Sequence, residues 1–122
     1  MIGHYADMLA KTAEIARRLG FTPAVDEDFY AEFLRNDGWA IGLEGDRLSY
    51  PAFTLWIARD GADGKTMYAV WILMTVFLPR IPPVRHVPTL DNQLWFLEAF
   101  APILFDQEES YRDAYIARNG GA

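Results

Sequence analysis

The sequence predicts an α+β protein: a three-stranded antiparallel β-meander preceded by two helices and followed by two helices, in a compact single domain over residues 1–122. Three observations carry this. Near both ends of the chain apolar residues recur at spacings of three and four, the period of a helix with one buried face. Between residues 39 and 78 bulky residues alternate with small ones, or run on without a break, between glycine-rich turns, as strands do. A hydrophobic share of 52% over 122 residues supports one packed core without disulfide or metal.

In the first element, residues 4–19, Tyr5, Met8, Leu9, Thr12, Ile15, Ala16 and Leu19 share a face. Asp7 precedes Lys11 and Glu14 precedes Arg18 by four residues, the favourable order for helical ion pairs. Gly20 and Pro23 end the helix. Asp26 then reads as the cap of a second, shorter helix, with Glu27 and Asp28 in its first turn and Phe29, Tyr30, Phe33 and Leu34 as its stripe, closed by Gly38.

In WAIGLE (39–44), Trp39, Ile41 and Leu43 alternate with small residues, which predicts a strand with one bulky face. EGDR (44–47) reads as a turn, and 48–59 as a second strand, with Pro51 at its start or at an edge. RDGADGK (59–65) has the composition of a hairpin loop. The run MYAVWILMTVFL (67–78) follows. Period cannot separate strand from buried helix in so continuous a stretch. Its β-prone residues, the hairpin signal before it and Pro79 after it favour a third strand. Large side chains would then stand on both faces, so each face must be covered, by helices or by another chain.

Residues 79–88 hold four prolines and exclude long regular structure. Thr89 caps a helix over 90–105, which Pro102 should kink or end. Asp106 and Glu109 stand in capping-box relation before a last helix, 107–118, with Tyr111 and Tyr115 on one face, and NGGA (119–122) reads as a frayed tail.

Chemical motifs are few. There is no cysteine, which excludes thiol nucleophiles, thiolate metal sites and disulfides and fits a reducing compartment. His4 and His86 are far apart in sequence, and neither Ser49 nor Ser110 lies in a G-x-S-x-G turn. No phosphate-binding glycine motif occurs, and DGADG (60–64) reads as a turn rather than a calcium loop. The net charge of −6 disfavours nucleic acid, no stretch is long enough for a membrane helix, and the first twenty residues lack a secretory pattern. No cofactor, no metal site and a cytoplasmic location are expected.

What remains is surface chemistry. Carboxylates cluster between residues 26 and 46, with Arg35 as the counter-charge inside that window. PRIPPVRH (79–86) is a cationic, stiffened segment able to present Arg80, Arg85 and Ile81. These features point to a non-catalytic protein-binding module, of the kind met in bacterial immunity or inhibitor proteins that neutralise a toxin or effector by occluding its active surface. The expected contacts are Asp26, Glu27, Asp28, Asp37, Glu44 and Asp46, with Trp39 and Tyr50 as aromatic anchors and Arg80 and Arg85 in the proline segment. The expected partner is another protein with a basic surface. Two alternatives stay open. One is a small-ligand site or enzyme with a pocket between sheet and C-terminal helices, lined by Trp56, Trp71, Trp95, Tyr68 and a carboxylate. The other is a secretion-chaperone-like homodimer joined through residues 67–78.

Overall fold

A computed structural model describes residues 1–62 and 64–120, so the expected tail, 119–122, lies partly outside the described residues. The class is α+β, but the sheet has five antiparallel strands rather than three. The order along the chain is α1 (Ala6–Arg18), β1 (Thr22–Glu27), β2 (Tyr30–Leu34), β3 (Trp39–Gly45), β4 (Phe53–Gly61), β5 (Gly64–Ala69), α2 (Val70–Val76), α3 (Leu90–Ala99), α4 (Ala101–Asp106) and α5 (Arg112–Arg118). The strands lie side by side in sequence order. Two compact units divide the chain, Met1–Met67 and Tyr68–Ala122.

In the first unit α1 matches the expected amphipathic helix, with Thr12 and Ala16 buried and Glu14 paired with Arg17 and Arg18. The expected second helix is instead the β1–β2 hairpin, with Asp28 and Phe29 at its turn and Tyr30 opposite Glu27. The window is short enough for both periods to fit. The alternation of buried Ala31 and Phe33 with the more open Tyr30, Glu32 and Leu34 is the one the fold uses. A register shift between Pro23 and Val25 accommodates the proline on the edge strand.

β2, β3 and β4 pair residue by residue: Tyr30 opposes Glu44, which opposes Thr54, and Phe33 opposes Ile41, which opposes Ile57. Two glycines show what lies over each face. A Cβ at Gly45 would stand 2.6 Å from the Tyr5 ring, so the face of Trp39, Ile41 and Leu43 looks toward the segment that opens α1. A Cβ at Gly42 would stand 1.9 Å from the Trp56 indole, which lies flat across the opposite face. On that face Tyr30 stacks on Trp56 (centroids 6.1 Å apart, planes at 22°), and the Lys65 ammonium sits 5.4 Å from the indole centroid.

The second unit is helical, and it corrects the reading of 67–78. The strand ends at Ala69, and Val70–Val76 is an α-helix. Val70, Leu73, Met74 and Phe77 are buried at helical spacings of three, one and three, Ile72 is buried as well, and Trp71 is 48% exposed while Met67 and Leu78 reach water. Beyond Ala69 the segment is therefore not a two-faced strand. A helix satisfies its own backbone groups inside apolar surroundings, which a lone edge strand does not. Phe77 packs against Phe96, Phe100 and Tyr111 at centroid distances of 5.9, 5.3 and 6.0 Å. Tyr68 meets Tyr111 and Tyr115 edge to face, its hydroxyl donates to the Glu108 carboxylate, and the Ala69 N–H donates to the Tyr115 hydroxyl at 2.8 Å.

Thr89 caps α3 as expected, accepting from the Asn92 N–H at 3.1 Å. The expected helix 90–105 is broken at Phe100 into α3 and α4, with Pro102 in the first turn of the new helix, where its missing N–H costs nothing. The expected capping box before the last helix does not form: a 3₁₀ turn, Glu108–Ser110, precedes α5. No helix of the described residues is long and apolar enough to cross a membrane.

Candidate acidic binding cleft

Antiparallel pairing puts the β1–β2 turn and the β3–β4 loop at one end of the sheet, and the β2–β3 and β4–β5 turns at the other. At the first end the Gly45 N–H donates to the Phe29 carbonyl at 2.9 Å, which locks the two loops together. Between them opens a cleft of about 900 Å³, lined by Glu27, Asp28, Phe29 and Tyr30 from one side and by Glu44, Asp46, Arg47, Phe53 and Thr54 from the other. Four of the expected contact residues, Glu27, Asp28, Glu44 and Asp46, thus meet in one place, each exposed.

The far wall is held in shape from behind. The buried Tyr5 hydroxyl lies 2.6 Å from the Asp46 carbonyl and 2.8 Å from the Ala52 carbonyl and donates to this pair, which closes the 46–52 loop. Burial pushes the Tyr5 phenol above its ordinary pKa, which favours the protonated, donating form. Asp46 Oδ1 accepts from the Leu48 N–H at 2.8 Å. The Arg47 guanidinium reaches back over the Phe29 ring, 5.1 Å from its centroid.

The cleft is electronegative. Four carboxylates face one guanidinium, and among the described residues no ion pair engages Glu27, Asp28 or Glu44. Tyr30 records the field. Its pKa is pushed upward, first by burial, then by the hydrogen bond its hydroxyl donates to Glu32 and by the nearby charges of Glu32, Glu44 and Glu27. Such a site attracts cations and repels phosphate. Among the described residues no group of three or more His, Asp or Glu side chains is arranged to hold a metal ion.

The other expected contacts stand elsewhere. Asp26 is next to the turn and is paired with the amine of Met1. Asp37 belongs to the β2–β3 turn at the opposite end, where Arg35 binds it at 2.6 Å and the Trp39 N–H donates to it at 3.3 Å. That pairing, first through the Arg35 hydrogen bond, holds its carboxyl below the ordinary aspartate range. Trp39 is buried, so it serves the core and is not a surface anchor. Tyr50 is exposed on the 46–52 loop, packed edge-on against Tyr5 at 5.2 Å and His4 at 5.1 Å, beside the cleft. Arg80 and Arg85 lie in the second unit, and Ile81, expected to be presented, is buried.

None of the four side chains expected to line a ligand pocket borders this cleft: Trp56 is buried under Tyr30, Tyr68 is buried, Trp71 is half exposed, and Trp95 packs against Phe100. The cleft residues that sequence reasoning missed are Phe29, Tyr30, Arg47, Phe53 and Thr54. Their signal is the pairing register, Tyr30 opposite Glu44 and Glu44 opposite Thr54, which a helix ending at Gly38 does not contain. Comparison with protein-family models, curated proteins and solved structures finds no match for this chain.

Proposed function

We propose that this protein is a non-catalytic binding module whose acidic cleft receives a basic surface of another protein. The use that fits best is that of a small immunity or inhibitor protein, which neutralises a toxin or effector by covering its active surface. The observation that supports this is the convergence of Glu27, Asp28, Glu44 and Asp46 on one open cleft, with Glu27, Asp28 and Glu44 free of ion pairs among the described residues. Carboxylates left exposed side by side repel one another, and a cationic partner relieves that repulsion. Phe29 and Phe53 supply apolar contact in the lining of the cleft.

The test is binding to the protein encoded beside this one, measured by calorimetry at low and high salt. Glu27→Lys/Glu44→Lys is expected to weaken the complex at least about tenfold per reversed charge, with a shallower salt dependence. Affinity indifferent to both changes would remove the cleft from the interface.

A cleft of about 900 Å³ is also of the size that holds small ligands. Its charge would select a polyamine-like cation. Titration with spermidine separates the readings, because a protein-binding surface shows no saturable site for the amine alone.

A further inference from the structure

We propose that the proline-rich segment 78–88 is a second, pre-formed docking surface, one that takes a protein segment carrying carboxylates beside aliphatic side chains. This surface is independent of the acidic cleft and has the opposite charge.

The segment is rigid. Its turns close through Arg80 N–H to the Phe77 carbonyl (2.8 Å), Ile81 N–H to Leu78 (3.1 Å), Arg85 N–H to Pro82 (2.8 Å) and His86 N–H to Pro83 (3.1 Å). Side chains lock it further. His86 Nε2 donates to the Ile81 carbonyl at 2.7 Å, Asn92 Nδ2 to the Val87 carbonyl at 2.8 Å, and Gln93 Nε2 to the Pro88 carbonyl at 2.8 Å. Ile81 is buried as the anchor.

On this scaffold Val84 is 82% exposed and Val87 65% exposed. A tie built only to join α2 to α3 gains nothing by holding two valines in water. A pre-ordered loop that does so loses little entropy when a partner covers them.

The two arginines are placed as firmly. Arg80 lies over Phe77 and Phe100, at 5.8 and 5.6 Å, and Arg85 lies over Trp95 at 5.4 Å with Nη1 donating to Asn92 Oδ1 at 3.2 Å. Trp95 meets Phe100 edge to face at 6.2 Å, so Arg80, Phe100, Trp95 and Arg85 form one row. Among the described residues neither guanidinium has an ion pair. Fixed guanidinium forks with spare donors suit carboxylates, and the exposed Val84 and Val87 of the same segment suit aliphatic side chains. A nucleic-acid backbone fits less well, because it leaves the valines uncovered and meets a chain of net charge −6.

The experiment is selection from a random peptide library displayed on phage, with the full-length chain as target. The expected winners carry Asp or Glu next to Leu, Ile, Val or Phe. Synthesised winners should bind Arg80→Gln/Arg85→Gln and Val84→Asp at least about tenfold more weakly than the parent chain. These positions are solvent-facing or partly so, and an unchanged unfolding midpoint confirms that the variants remain folded. Glu27→Lys/Glu44→Lys should bind the same peptides undiminished, so this surface and the cleft can fail separately. The proposal is overturned by no enrichment, by enrichment of basic sequences, by binding that ignores the loop variants, or by displacement of the peptides with a short oligonucleotide.

Discussion

Two nearly continuous apolar runs, WAIGLEG in β3 and VWILMTV in α2, take opposite secondary structures. Six of the seven β3 residues are buried, yet only one face carries bulk: Trp39, Ile41 and Leu43 stand on it, while Ala40 and Gly42 leave room for the Trp56 indole on the other. In α2 no alternate position is small. Every residue is large or β-branched, and the sheet pleat would place bulk on both sides at once. A helix buries Val70, Ile72, Leu73 and Met74 and lets Trp71 reach water. Total hydrophobicity does not choose between the two states. The spacing of small residues does.

Several substitutions would break or sharpen this contrast. Leu73→Ala, fully buried on the packed face of α2, is expected to cost about 2–5 kcal/mol in urea unfolding, whereas Trp71→Gln, two positions away, should cost far less. Comparable losses at both positions would mean that both sides of the segment are core. Gly42→Ala is expected to cost about 1–3 kcal/mol, because the new methyl displaces the Trp56 ring; tryptophan fluorescence should shift toward that of an exposed indole. A silent Gly42→Ala would show that the indole does not lie across β3.

A smaller effect is expected at the β2–β3 turn. Asp37 has a lowered pKa in the folded state, so its contribution is complete above the unfolded value of about 4 and is lost as pH falls through the folded value. The exposed pair with Arg35 limits this to under about 1 kcal/mol. Asp37→Asn should flatten the acid limb of the pH–stability curve, and an unchanged limb would place the acid sensitivity elsewhere. The smallest expected effect is at Thr75, whose hydroxyl donates to the Ile72 carbonyl at 2.6 Å. Thr75→Ala should be neutral or stabilising by a few tenths of a kcal/mol, since alanine is the better helix former. In a strand the same change would destabilise.

The two misread segments fail in the same way. The expected helix between the Asp26 cap and Gly38 rests on Phe29, Tyr30, Phe33 and Leu34, but so short a stripe fits two periods equally well. The choice fell to β3, which pairs with β2 along its whole length. The expected third strand, 67–78, rests on β-prone side chains, a preference that packing against α3 and α5 outweighs over 70–76. The acidic cleft was half legible. Its carboxylates stood out as a cluster, but their sorting did not, because Glu44 meets Glu27 and Asp28 only through the hairpin register, and the same register sends Asp37 to the far end.

The sequence alone determined the α+β class, the first helix, the cap at Thr89 and the break around Pro102, because each depends on side chains within a turn of one another. Only the tertiary structure decided that five strands form, that the apolar run becomes a helix, and which charges share a cleft. Those outcomes depend on partners distant in the chain, and a short segment able to adopt either state takes the one its neighbours in space stabilise.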